Sequence, residues 1–189
     1  MNEYGGHWIE TFKGRKFHFL NPQPNEIDIE DIAHALSLTC RFNGACRVFY
    51  SVAEHSIRVA GIVPDKYKLL ALLHDASEAY IPDLPRPEKA GMPEFKAMEN
   101  VILQAIWHKF GIDNLLTSDG VVKEADNILL ATEARDLMPN TDDWAELPFP
   151  LSDKIVPFCS DLKWIEQEFL QRFNEYLIEV VERQIKEMK

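Results

Sequence analysis

Hydrophobic positions change period once along this chain. Between residues 8 and 20 the apolar positions alternate with polar ones, Phe17 and Phe19 interleaved with Lys16 and His18, and Lys13-Gly14 offers a place to turn. Alternation of that kind around a glycine predicts a small β-hairpin. Asn21-Pro22-Gln23-Pro24 then breaks it, since proline has no amide with which to continue a ladder. Beyond this point the spacing is helical. Ile29, Ile32, Ala33 and Leu36 recur at helical intervals behind Asp28, whose short carboxylate suits an N-cap. Ser51-Val52-Ala53-Glu54 has the form of a capping box and predicts a helix carrying His55, Val59 and Ile62.

Pro64 separates that helix from one over roughly 66–80, dominated by Leu69, Leu70, Leu72 and Leu73. Pro82, Pro85, Pro87 and Pro93 predict a restricted, non-helical loop. A helix over about 94–110 comes next, with Gly111 placed to end it. Ser118 is the candidate cap of another helix, whose inner face carries Val122, Ala125, Leu129 and Thr132. After a Pro-rich connection at 139–157, residues 161–187 read as a long amphipathic helix through Trp164, Phe169, Phe173, Leu177 and Val181. The expected class is mainly α, a helical bundle preceded by a small N-terminal β-hairpin. Residues 1–25 are expected to form an extension and residues 26–189 the one folded domain, a length that a single core can serve.

Composition narrows the partners. A net charge of −11 argues against a broad non-specific nucleic-acid surface, which needs a basic field. It leaves room for a small anionic ligand, because a metal ion and one or two arginines set a local field by themselves. Three cysteines, Cys40, Cys46 and Cys159, form no CxxC pair, and their odd number points to reduced thiols. The first residues lack the basic start and apolar stretch of a signal peptide, and the longest strongly apolar run, Leu69 to Leu73, is too short to span a bilayer. The expectation is a soluble, cytoplasmic protein without a membrane partner.

Polar residues on apolar faces carry the chemistry. His74-Asp75 closes the leucine-rich run, with Ala71, Ala76 and Ala79 around it, so at least one of the two side chains points inward. An ionised carboxylate buried alone costs several kcal/mol and needs a cation or donors. A metal bound by imidazole and carboxylate meets that need; a buried His–Asp hydrogen bond between helices meets it equally well. His55 stands between Val52 and Val59 on an inner face, where a satisfied core histidine is the commoner finding. Asp126 stands between Val122 and Leu129 in the same manner, against the alternative of a helix-surface aspartate. One site with two histidines and two aspartates, drawn from three helices, accounts for all four at once. Mixed nitrogen and oxygen ligation of this kind suits one divalent transition metal (Mn, Co, Fe, Ni or Zn) with positions left for water and substrate.

Three stretches resemble a known family. Phe49-Tyr50-Ser51-Val52-Ala53-Glu54-His55-Ser56, the run from Leu72-Leu73-His74-Asp75 through Pro85-Arg86-Pro87, and Glu124-Ala125-Asp126 are similar to the motifs of the HD-domain metal-dependent phosphohydrolases. Within that superfamily the chain most resembles the YfbR-like 5′-deoxynucleotidases, and it is also similar to the phage dATP triphosphohydrolases. The likeness runs from about residue 30 to residue 137. It implies a mainly helical HD-domain fold, with a metal held in the order His55, His74, Asp75, Asp126. It further implies hydrolysis of (deoxy)nucleotides, first among them nucleoside 5′-monophosphates, and assembly into a homo-oligomer. The resemblance gives Glu78 a part in handling the attacking water and Asp83 a part at the sugar and in catalysis. Arg41 matches an arginine that contacts phosphate, which suits a bidentate guanidinium. The relatives often follow that arginine with tryptophan, whereas this chain has Phe42, so the base or sugar contact is open. Lys89 is a candidate phosphate contact, weighed against a plain surface lysine, and Arg47 is a weaker one. The rival readings are a triphosphohydrolase, a non-catalytic nucleotide-binding HD domain and a structural helical module. Few clear cations (Arg41, Arg47, Arg86 and Lys89) line up for a triphosphate.

Overall fold

In the computed structural model, which describes residues 6–112, 119–142, 144, 146–158 and 161–188, the N-terminal alternation becomes two short antiparallel strands. These are β1 (Ile9–Glu10) and β2 (Lys16–Phe17), with Ile9 opposite Phe17. Gly14 makes the turn at φ 72°, a backbone conformation that strains any side chain. Phe17 is fully buried and stacks on Tyr80 with ring centroids 3.7 Å apart. The hairpin therefore covers the core rather than extending from it, while Trp8 lies half-buried beneath Lys16, whose Nζ is 4.5 Å from the indole ring. Phe17→Ala is expected to cost about 3–5 kcal/mol through the cavity it leaves. A fall in the urea midpoint with unchanged slope measures it.

Seven α-helices follow among the described residues: α1 (Ile29–Leu38), α2 (Val52–Ile62), α3 (Lys68–Leu72), α4 (Arg86–Ala90), α5 (Pro93–Lys109), α6 (Asp119–Leu137) and α7 (Leu162–Glu187). Local chemistry sets most of their ends. The Asp28 carboxylate accepts from the Glu30 amide at 3.0 Å, and Asp161 accepts from the Trp164 amide at 3.0 Å. Ser51 Oγ accepts from the Glu54 amide at 3.1 Å. Glu54 does not complete the reciprocal box. Its carboxylate is fully buried and accepts instead from Arg58 Nη2 at 2.7 Å and from the Phe158 amide at 3.0 Å, because an arginine one turn on offers a charged partner; that arginine also donates to the Val156 carbonyl at 2.8 Å, holding this segment against α2. Gly111 ends α5 at φ 68°, as its position predicts.

Helix α2 is central, packed against α1, α3, α6 and α7. That position explains why it buries Glu54, His55 and Ser56 as well as Val52 and Val59. On α6 the expected inner face holds: Val122, Ala125, Leu129 and Thr132 are all buried. Ser118, the expected cap, lies outside the described residues.

Three expectations are corrected. The helix over 66–80 is broken: a 3-10 turn at Asp65–Tyr67 leads into α3, which stops at Leu72, and a second 3-10 turn occupies Ala76–Ala79. His74 and Asp75 sit in the break, where a ring bonded to the Ala71 carbonyl replaces continued helix. The proline-rich segment is not wholly irregular, since α4 begins with proline at its first turn, where the missing amide costs nothing. Finally, α7 keeps Phe169 and Phe173 buried and Leu177 against the core, as expected, but Ile165, Tyr176 and Val180 complete its inner stripe, whereas Trp164 and Val181 are 41% and 45% exposed. A shift of one residue on a helix rotates a side chain by about 100°. Among the described residues no helix is long and apolar enough to cross a membrane.

Candidate metal centre

Three residues, His55 on α2 and His74 and Asp75 in the break after α3, bring donor atoms around one point, and Asp126 on α6 reaches it beside His55. His55, fully buried on α2, has Nδ1 2.6 Å from Oε1 of Glu133. Burial alone raises the Glu133 carboxyl, but Arg41 and His55 outweigh it and hold the group below its ordinary value, so it is ionised. A carboxylate only accepts, so the His55 Nδ1 carries the hydrogen. His74 has Nδ1 2.7 Å from the Ala71 carbonyl oxygen, again an acceptor without a proton to give. In each neutral ring the lone pair is therefore on Nε2, and these two nitrogens face each other at 3.3 Å.

Carboxylates crowd the same point. Asp75 Oδ2 is 3.2 Å from His74 Nε2 and 3.6 Å from His55 Nε2, and Asp126 Oδ1 is 3.3 Å from His55 Nε2. The donor atoms of His55, His74 and Asp75 all lie within 4.8 Å of one another; Asp126 touches that triad through His55. Its other oxygen is held by Arg86 Nη2 and Lys123 Nζ, both at 2.8 Å, which fixes how the carboxylate is turned. Arg41 Nη1 lies 3.5 Å from the same Asp75 oxygen, but no donor separates the two facing ring nitrogens, an arrangement that a further positive charge would stabilise. A proton can serve: burial first and Arg41 next pull the His55 pKa down, yet Glu133 and Asp126 push it up to about 9. A divalent transition metal fits the same donor set, since imidazole nitrogen with carboxylate oxygen is its usual company. His55, His74, Asp75 and Asp126 are the residues that could hold one.

Arg41 lies against this cluster from a turn between α1 and α2. It is buried, with Nη2 3.1 Å from Glu133 Oε2 and Nη1 3.5 Å from Asp75 Oδ2. Burial works against its charge, but Glu133, Asp75, Asp83 and Asp126 more than restore it. The turn itself is unusual: Phe42 at φ 56°, Asn43 at φ 51° and Gly44 at φ 78° are consecutive left-handed residues, and a bulky residue there marks local strain. The Phe42 ring centroid is 5.3 Å from the Arg41 guanidinium carbon and 6.0 Å from the Trp144 ring.

On the other side, Glu78 is buried, its Oε2 without a partner, and its Oε1 3.8 Å from Lys89 Nζ. Burial, then Asp75 and Asp83, raise its carboxyl well above the ordinary range. Half-buried Asp83 is raised as well, by burial first, with Asp75 adding and Arg41 opposing. The helix is broken between His74 and Glu78, so Glu78 stands on the 3-10 turn, near enough to Asp75 to feel its charge. Lys89 is engaged by Glu99 at 2.6 Å. Arg47 is exposed and donates to the Pro139 carbonyl at 3.3 Å. A cavity of about 550 Å³ between the hairpin and α1 is lined by none of these residues.

Glu133 is the residue that sequence reading misses. It is fully buried and binds both His55 and Arg41. Its only trace in the sequence is a position two helical turns after Asp126, hence on the same face of α6.

Fold and site together define a mainly helical protein with a partly buried cluster of two histidines and two aspartates. No family model matches the chain. It is 37% identical over 172 residues to the uncharacterized protein YfdR of Escherichia coli (strain K12), covering 89% of this chain and 94% of YfdR. It is also 30% identical over 161 residues to an uncharacterized protein of Rhodobacter capsulatus, covering 79% of this chain and 82% of that one. The chain belongs to the family that includes YfdR.

Proposed function

We propose that this protein is a metal-dependent phosphohydrolase of the HD superfamily that acts on nucleotides, with nucleoside 5′-monophosphates as its preferred class. The observation that carries the reading is the convergence of two Nε2 lone pairs with the carboxylates of Asp75 and Asp126, each histidine fixed in its tautomer by an acceptor on the far nitrogen. A divalent ion held there would polarise a phosphoryl oxygen and acidify a water molecule beside it. Arg41, kept charged within reach of the cluster, offsets negative charge that grows on phosphate. Glu78 has an unpaired buried oxygen and a raised pKa, properties that suit a group taking up a proton from water and handing it on. Asp83, raised in the same way, is the other group able to orient that water. The likeness of the three motifs to the YfbR-like 5′-deoxynucleotidases supports the same reading.

A monophosphate is favoured because the cations around the cluster are already engaged. Lys89 is on Glu99, and Arg86 and Lys123 are on Asp126. Arg41 is paired as well, with Glu133 and Asp75, but its Nε has no partner, so it has a donor to spare for one phosphate, whereas a triphosphate asks for several cations in a row.

Purified protein supplied with Mn or Co is expected to release phosphate from deoxynucleoside monophosphates, with dAMP and dATP products identified side by side. Pyrophosphate or triphosphate release would move the reading to a triphosphohydrolase. Nucleotide binding without turnover by metal-loaded protein would leave a non-catalytic binding domain.

A further inference from the structure

We propose that Cys40 and Cys46 form a reversible dithiol–disulfide pair that clamps the Arg41 turn, oxidised by a peroxide. This goes beyond the phosphohydrolase reading and stands whether or not the cluster hydrolyses nucleotides. The two sulfurs are free thiols only 3.7 Å apart, and both residues are half-buried. They bracket the segment from Arg41 to Ala45, which contains the three left-handed residues Phe42, Asn43 and Gly44.

The base of the turn is already held in place. Cys40 bridges to Ser51, and the Arg41 amide donates to the Tyr50 carbonyl at 2.9 Å. Cys46 Sγ also approaches the Arg41 carbonyl at 3.7 Å. Neither sulfur has far to go: contact distance becomes a bond of about 2.05 Å after a movement smaller than a bond length or so of each side chain. Burial, with Cys40 next, pushes the Cys46 thiol up to about 11, which disfavours it as the first sulfur to attack.

The chemistry balances. One thiolate attacks a peroxide oxygen, the O–O bond breaks, and a sulfenic acid and one water result after proton uptake. The second sulfur then attacks the sulfenic sulfur, an S–S bond forms, the S–O bond breaks and a second water leaves. Two thiols lose two electrons and two hydrogens, and hydrogen peroxide is reduced to two waters. The bond crosses the turn that presents Arg41 to Asp75 and Glu133, so its closure restricts how far that guanidinium can withdraw.

The test uses the purified full-length chain, reduced with dithiothreitol, freed of reductant and titrated with hydrogen peroxide. Intact mass should fall by two hydrogens. Trypsin cuts after Arg41 and Arg47, so the peptide ending at Arg41 should remain joined to the one ending at Arg47, and dithiothreitol should part them. Cys159→Ser should keep this behaviour and Cys46→Ser should lose it. Closure in the native chain should be roughly tenfold faster than in urea, because the fold holds the sulfurs together. A link to Cys159, a link between chains, oxygen adducts without a link, or equal rates in native and unfolded chains would overturn the proposal.

Discussion

His74→Ala is expected to strip the protein of transition metal and to lower nucleotide hydrolysis by about a thousandfold. The His74 ring contributes one of the two Nε2 lone pairs, and its Nδ1 is fixed on the Ala71 carbonyl, so no neighbouring side chain can replace it. A bound ion stabilises a phosphoryl transition state by several kcal/mol; about 4 kcal/mol corresponds to a factor of a thousand. The fold should survive, because the ring sits in a turn and its side chain is partly open to solvent, at 13%. Metal content by elemental analysis, turnover on dAMP and far-UV circular dichroism read the three effects apart. A variant that keeps both metal and activity sinks the proposed centre. One that loses metal yet hydrolyses as before removes the metal from the reaction.

Glu133 carries the second large effect, and two substitutions divide its roles. Glu133→Ala leaves the Arg41 guanidinium and the His55 Nδ1 hydrogen without their buried acceptor. Breaking a buried ionic pair from one side costs about 3–5 kcal/mol, so the alanine variant should unfold at markedly lower urea. Glu133→Gln keeps the volume but gives up the charge, and its single carbonyl oxygen cannot serve both partners. Groups that orient a metal-bound histidine typically contribute about 10- to 100-fold to metal affinity, and calorimetric titration of the glutamine variant with Mn or Co should find a loss of that order. Wild-type affinity in a folded Glu133→Gln protein would show that His55 needs no such anchor.

The two substitutions also separate stability from chemistry at the cluster. Alanine acts mainly on folding, through desolvated charges left unpaired. Glutamine is expected to act mainly on the proposed ion, through the basicity and orientation of one ring.

Much of the architecture is legible in the residue order, for a physical reason. Hairpin, helix starts and most helix ends depend on interactions within a few residues: the alternation around Gly14, the carboxylate caps at Asp28 and Asp161, the Ser51 hydroxyl, and the left-handed stop at Gly111. Such short-range preferences are written directly into neighbouring residue types. His55, His74, Asp75 and Asp126 are visible for a related reason, each being a polar residue on an otherwise apolar face whose burial demands a partner. That these four share one site is an inference from economy; the backbone path groups His55, His74 and Asp75 and sets Asp126 beside His55.

Tertiary structure alone decided the rest. The leucine-rich helix stops at Leu72 because His74 bonds back to Ala71 and turns toward a ring on another helix, a long-range demand that propensity does not contain. Glu54 abandons its capping role for Arg58 and the Phe158 amide, since a buried charge takes the strongest partner that folding delivers. The inner stripe of α7 depends on what packs against it, and Trp164 loses its expected place to Ile165. Glu133 is the clearest case: in the sequence it is one acidic residue among 31, and only the approach of α2 and the Arg41 turn to α6 makes it the common acceptor of a ring and a guanidinium. Local chemistry determines where elements begin and which polar residues must find company; which company they find is set by contacts between residues far apart in the chain.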